Sequence, residues 1–420
     1  MSKQLLAILV IAMTVALGCI RPVPQTKPPD VPDTSLPSTV QQKPTSQVIV
    51  SAPATKIAQL IGENERERQQ PTLNLTWSRY KLLGTDLGVP FRHKGKTYLL
   101  FGDTVGLRGG DAIAYTTDTT PEDGIELTFI HDDVAYKPVK IPGISQEGFE
   151  VPMEGISVGG RMYIYHTTDS IGVVEMFKEE AEPGMGRSIV AVSDDDGQTF
   201  TYLYDFSSKH FINVSVVEVD RADLSAAFAP GSGKVLVIFG SGPYRRSDVY
   251  LAVQSSDQIG SRSSVRYFAG LDNSGRPILS PNEDDAEALF SQPVVGELSV
   301  TYNRFINKWI MLYNSFMPTS RGINIRTADK PWGPWSEPQI IFHPWDDNGY
   351  CHFMHAGFPH EKCDEVSDPN QEKKWGGEYG PYQFEDLAVG SDTSTTIYFT
   401  MSTWNPYTVV LMKATLQKAK

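Results

Sequence analysis

Five short apolar runs recur along the chain: residues 96–103 (KTYLLFGD), 161–166 (RMYIYH), 234–240 (KVLVIFG), 308–314 (KWIMLYN) and 395–402 (TTIYFTMS). Each is followed, after a loop, by a further apolar strand at 111–117, 188–193, 248–255, 322–327 and 407–413. A shorter strand ending in a turn precedes each run. The apolar positions are near-continuous instead of alternating, as in strands covered on both faces. From residue 77 onward the copies average roughly seventy residues, a length that suits decorated propeller blades. The pattern predicts an all-β chain folded as a five-bladed β-propeller over residues 77–420.

One turn carries its own signature. Ser193-Asp194-Asp195-Asp196-Gly197-Gln198-Thr199-Phe200 has the form S-x-D-x-G-x-T-aromatic and resembles the Asp-box of sialidase-type propellers. In such a hairpin turn an Asp accepts backbone N–H bonds and Gly supplies a positive φ, so the expected role is structural. The turns Thr117-Asp118-Thr119 and Thr327-Ala328-Asp329 correspond to it. A sialidase would carry several such boxes, a Tyr nucleophile and an Arg triad, and this chain has one box.

Ahead of the repeats the pattern changes. Lys3 precedes an apolar run over 5–17, too short to span a bilayer comfortably but suited to a signal-peptide core. It ends in Ala16-Leu17-Gly18-Cys19, which resembles a bacterial lipobox, so residues 1–19 read as a lipoprotein signal peptide with Cys19 lipidated. A plain secretory signal or a single anchor is the alternative. Residues 20–54 carry eight prolines among Thr, Ser and Gln, and no aromatic precedes Trp77. Such a segment buries too little apolar surface to offset its chain entropy and is expected to be an extended tether. Residues 20–76 thus read as linker and lead-in, with Ile57, Leu60 and Ile61 forming a helical turn or two. The expected location is the cell surface or periplasm.

Charge and cysteine content narrow the function. Lys and Arg number 37 against 50 Asp and Glu, a net charge of −13, so nucleic acid is excluded as a partner. Beyond Cys19 there remain Cys351 and Cys363, which in an exported chain favour a disulfide. His343, His352, His355 and His360 surround the pair, but zinc-site spacing is absent, so no metal and no cofactor is expected.

In a propeller the start of each innermost strand and the end of the second share one face near the axis. Asp86 and Asp103 occupy those places in the first repeat; Glu297 and Asn314, then Asp386 and Thr403, repeat the spacing. The second repeat offers Glu154 and His166. Paired carboxyls in a sugar-sized cleft cut glycosidic bonds, one protonating the leaving oxygen and the other attacking or activating water. They need unequal environments so that one stays protonated near neutral pH. Asp beside Gly at a strand end can also be a simple turn former. Arg108, Arg187, Arg246 and Arg321 each precede a third strand and could rim the same mouth, holding an acid ionised or binding substrate. Trp404 and Tyr407 could stack on a sugar, whereas Trp332, Trp335 and Trp345 sit among Gly/Pro turns that suit packing.

Several of these stretches together are similar to the domain-of-unknown-function 4185 family: Gly84-Thr85-Asp86-Leu87-Gly88-Val89-Pro90, Leu100-Phe101-Gly102-Asp103-Thr104, Gly296-Glu297-Leu298-Ser299-Val300, Arg326-Thr327-Ala328 running to Gly333-Pro334-Trp335-Ser336, and Ser402-Thr403-Trp404-Asn405-Pro406-Tyr407. The resemblance covers about residues 77–415. Members include endo-acting D-arabinanases of glycoside hydrolase family 183, which are five-bladed propellers. It implies that Asp86 and Asp103 are the catalytic pair. Glu154 in Met153-Glu154-Gly155-Ile156 departs from that pattern. The expectation is a monomeric glycoside hydrolase acting on arabinofuranosyl polysaccharide, attached to the membrane only through a lipid. Glu154, His166, Glu297, Asn314, Arg321 and Trp404 are then the substrate-binding candidates. The rival from another class is a non-catalytic carbohydrate- or protein-binding propeller.

Overall fold

A computed structural model describes residues 47–146, 149–169, 186–226, 228–242, 245–315, 322–360, 363 and 366–419. Cys19, most of the tether and Arg321 lie outside them. The described chain is all-β and propeller-like. It is built of consecutive antiparallel meanders. The first runs Leu82–His93, Lys96–Gly106, Ala112–Thr116 and Thr128–Phe129, and the second Pro152–Val158, Arg161–Thr168, Arg187–Ser193 and Thr201–Ser207. The third (Asn213–Asp220, Lys234–Ser241, Ser247–Ser255) and the fourth (Phe290–Asn303, Lys308–Ser315, Gly322–Ala328, Gln339–Phe342) share one sheet through pairing of Ser247–Ser255 with Phe290–Asn303. The last comprises Glu378–Gly390, Ser394–Thr403 and Thr408–Lys418.

The apolar runs read from the sequence are the second strands, and their burial explains their composition. Leu99, Leu100 and Phe101 in the first, Ile164 and Tyr165 in the second, and Ile310, Met311 and Leu312 in the fourth have no more than traces of exposed surface. They are packed from both sides by neighbouring sheets. The first strands of successive meanders touch in chain order, and that of the last touches that of the first. This arrangement brings the first strands of the meanders next to one another.

The tether expected over 20–54 stops short of its predicted boundary. Val48–Gln59 is a strand, the outermost of the last sheet, antiparallel to Thr408–Lys418 with Val48 opposite Lys418 and Gln59 opposite Val410. Ile57 thus lies in a strand, and Leu60 and Ile61 follow as buried core residues, not as helical turns. Pro53 is tolerated because this is an edge strand, and because the pairing slips between Ala52 and Thr55.

Cys351 and Cys363 are joined by a disulfide with their Cα atoms 5.2 Å apart. The bond lies in the long segment between Gln339–Phe342 and the last sheet, where Tyr350, Phe353, Met354 and Ala356 are buried. The Asp-box turn has the role expected of it: Asp195 accepts the backbone N–H of Thr199 at 2.8 Å, and Gly197 has a φ of 87°.

Candidate active site

Asp86 sits in the first strand of the first meander between two slips of the ladder, one at Gly84/Asp86 and one at Leu87/Val89. Leu87 takes a φ of 66° and Gly88 one of 74°. Bulges of this kind re-aim a side chain out of the regular alternation, at a conformational cost of about 1–3 kcal/mol for the non-glycine residue. The carboxyl that results is buried. Its Oδ2 accepts the Tyr379 hydroxyl at 2.9 Å, and its Oδ1 has no hydrogen-bonding partner. Gly102 makes room for it, since a Cβ there would lie 2.9 Å from Asp86 Oδ1 and 2.5 Å from Val151 Cγ1.

Asp103 follows at the end of the paired strand with a φ of 43°, a backbone state that Asp tolerates better than most residues. Its N–H donates to Asp111 Oδ1 at 3.2 Å, and its carbonyl accepts the Tyr407 hydroxyl at 3.1 Å. The two acids feel each other strongly. Burial pushes Asp86 up to about 7 against the pull of Tyr379 and Tyr407, with the Glu297 and Asp111 charges adding to the rise. Burial, then the negative charges of Asp86, Asp111 and Glu150, push Asp103 up to about 9. Near neutral pH one proton is therefore retained by the pair, on Asp103 first.

Glu297 joins the mouth from the fourth meander. Arg245 reaches it with Nη2 at 3.3 Å, and Asn314 Nδ2 donates to it at 2.7 Å. Gly296 is required here, because a Cβ would meet Asn314 Nδ2 at 2.5 Å and Arg245 Cγ at 2.9 Å. Asn314 Oδ1 accepts the N–H of Gly380 at 3.3 Å, tying the fourth sheet to the fifth. The Arg245 guanidinium also lies 5.5 Å from the centre of the Tyr379 ring.

His166 is buried beneath this cluster. Its Nδ1 donates to the Thr167 carbonyl at 2.6 Å, and its Nε2 stands 2.8 Å from Asp111 Oδ2. Asp111 thereby links His166 to the Asp103 N–H, and the imidazole itself has no exposed surface.

Glu154 does not join the mouth. The pairing slips between Pro152 and Glu154, and the carboxylate accepts the N–H groups of Gly155 and Val216, each at 2.9 Å. Burial raises it to about 8. It lines a separate cavity of about 230 Å³ together with Glu385 and Asp386. Asp386 is likewise away from the acids, paired with Arg92 at 3.0 Å. The residue opposite Thr403 is Glu378, because slips within Glu378–Gly390 break the spacing count. Among the arginines expected at the rim, Arg108 is held by Asp132 and the Tyr136 carbonyl, and Arg187 by Asp169 and Asp205. Arg246 is exposed, and its neighbour Arg245 is the one at the acids.

From Asp103 a cleft of about 650 Å³ opens outward over Gly84, Tyr407 and Trp404. Trp404 is 44% exposed and meets Tyr407 edge-on, whereas Trp332 and Trp335 are packed in the core. Among the described residues no cluster of His, Cys, Asp and Glu has the geometry to hold a metal ion. Asp111, Tyr379 and Arg245 were not singled out from the sequence. Only Asp111, flanked by Gly110 and the start of a strand, carried a local cue like that of Asp86.

A family model described as "Domain of unknown function (DUF4185)" matches residues 72–413. No curated protein matches the chain. Among solved structures it is similar to a GH62 hydrolase in complex with xylotriose, with 10% identity, 86% of this chain and 97% of that one covered, and a TM-score of 0.44. It is also similar to the catalytic domain of a Coprinopsis cinerea GH62 α-L-arabinofuranosidase, with 10% identity, coverage of 90% and 98%, and a TM-score of 0.42. A third is a putative exo-β-1,3-galactanase from Bifidobacterium bifidum, with 8% identity, coverage of 87% and 94%, and a TM-score of 0.41.

Proposed function

We propose that this chain, which belongs to the DUF4185 family, is a glycoside hydrolase built on a five-bladed β-propeller and acting on arabinofuranosyl linkages of a polysaccharide such as α-D-arabinan. One observation carries the reading. Two carboxyls on adjoining strands, Asp86 buried and Asp103 half-buried, are held in different protonation ranges, Asp86 at about 7 and Asp103 at about 9, and Asp103 faces a sugar-sized cleft.

The division of labour follows from that difference. Asp103 keeps its proton at neutral pH and delivers it to the departing glycosidic oxygen. Asp86 ionises first, with Oδ1 bare and Oδ2 steadied by Tyr379. It either attacks the anomeric carbon or takes a proton from an attacking water, and the anomeric configuration of the first product separates the two. Arg245 stands beside Glu297 as its counter-charge.

The proposal includes export and a lipid anchor at Cys19, supported by the apolar run and the Ala16-Leu17-Gly18-Cys19 junction, and a monomeric working form. The test is reducing-end release across D-arabinan, L-arabinan, mannan and galactan. Release from D-arabinan alone is the expected result. Binding of a glycan with no release from any of the four would instead make the chain a carbohydrate-binding propeller.

A further inference from the structure

We propose that the cleft leading outward from Asp103 holds the leaving-group side of an uncharged oligosaccharide, with Trp404 as its stacking platform. The inference rests on the reading of Asp103 as the acid. That residue lines the cleft and Asp86 is not among the lining residues, so the oxygen that Asp103 protonates departs into this space. The sugars attached to that oxygen must then lie along the cleft.

The walls suit such a ligand. Trp404 stands at the turn between Ser394–Thr403 and Thr408–Lys418, its N–H donating to the Gly377 carbonyl at 2.9 Å. Its indole meets Tyr407 at 5.8 Å between centroids and 70° between planes, which fixes the ring while leaving it open to solvent. Tyr407 is bonded at both ends, through its hydroxyl to the Asp103 carbonyl and through its N–H to Asp368 Oδ2 at 2.8 Å. The platform and the acid are thereby one rigid unit. An aromatic face with fixed orientation is the standard means of gripping the apolar face of a sugar ring.

The lining itself carries little positive charge. Arg66 is the single cation among the described lining residues, and it is committed to the Ser367 carbonyl and to Asp368. Glu67 is paired with Lys56, and Glu63 accepts from Ser78. Hydroxyl-bearing neutral rings find acceptors and donors here, and Lys374, whose Nζ stands 5.9 Å from the centre of the Trp404 ring, is a cation beside the platform and not among the lining residues. A volume of about 650 Å³ is in the range that takes a ligand of two or three rings. The far wall, with Phe353, Asp368 and Gln371, belongs to the segment held by the Cys351–Cys363 bond.

The experiment compares Trp404→Ala and Trp404→Phe on two substrates. α-D-Arabinofuranosyl fluoride has no sugar on its leaving side, and α-D-arabinan oligosaccharides of two to six residues do. Trp404→Ala should lower kcat/KM on the oligosaccharides at least tenfold and change it less than twofold on the fluoride, with Trp404→Phe recovering most of the loss. In an Asp103→Asn background, calorimetry should show at least tenfold weaker oligosaccharide binding by Trp404→Ala at an unchanged melting temperature. Equal losses on both substrates, or unchanged oligosaccharide binding, would overturn the assignment. If wild type cuts neither substrate while Trp404→Ala still abolishes oligosaccharide binding, the catalytic reading fails and the platform stands.

Discussion

The Tyr379 hydroxyl donates to one oxygen of Asp86 and leaves the other bare, although the two residues lie at opposite ends of the folded chain. This bond favours the ionised carboxylate and so opposes the upward push of burial. Tyr379→Phe should therefore raise the pKa of Asp86 further. The acidic limb of the pH–rate profile should move to higher pH, with a larger loss of kcat at pH 6.5 than at pH 8.5. Initial rates across that range check it; a uniform loss at every pH would mean that Tyr379 only shapes the pocket.

Replacing either acid by Asn keeps the side chain's size and removes its ionisation. For both Asp86→Asn and Asp103→Asn, kcat on arabinan should fall by on the order of a hundredfold or more while binding is mostly kept. Glu154→Gln is the control: its partners are the backbone of Gly155 and Val216, away from the mouth, so it should retain most of its turnover.

Activity needs Asp86 ionised and Asp103 protonated. The rate should rise with pH through about 7, fall through about 9, and peak between them. Stability should run differently. Both acids ionise near 4 in the unfolded chain, so their contribution to stability is complete below that pH. It is lost as pH rises toward about 7 for Asp86 and about 9 for Asp103. Differential scanning calorimetry should show the Asn variants gaining on wild type between pH 5 and pH 9, and the gain should vanish at pH 4.

The disulfide closes a sequence separation of 12 and braces one wall of the cleft. The double variant Cys351→Ser/Cys363→Ser should lose about 3 kcal/mol in denaturant unfolding, by loop-closure entropy. Its affinity for oligosaccharides should fall more than its rate on the glycosyl fluoride.

Metabolic labelling with a fatty-acid analogue should mark wild type and not Cys19→Ala. Equal labelling of both would remove the lipid anchor from the proposal.

The strands were legible because the second strand of each repeat is buried on both faces, and that burial writes a continuous apolar run into the chain. Asp86, Asp103, Glu297 and Asn314 were singled out by strand-end position and a repeated spacing, and Gly102 and Gly296 lie where a Cβ would crowd Asp86 and Asn314. Bulges hid the rest. One slip turns Glu154 toward Val216, and others in Glu378–Gly390 put Glu378 opposite Thr403 where counting placed Asp386. Two adjacent arginines on a turn cannot be told apart by spacing, and it is the left-handed backbone at Arg245, with a φ of 52°, that goes with its turn inward. The strand at Val48–Gln59 was masked by Pro53, which an edge position tolerates.

That strand also sets a timetable for folding. Its partner, Thr408–Lys418, is the last in chain order of the strands described, so the final sheet stays unfinished until that strand has been made. Until then the edges of Val48–Gln59 and Ser394–Thr403 that it will join stand open, with unpaired N–H and C=O groups available to any neighbouring chain. Joining strands this far apart in sequence is a slow, late step. Fragments that lack Thr408–Lys418 should expose those edges and aggregate.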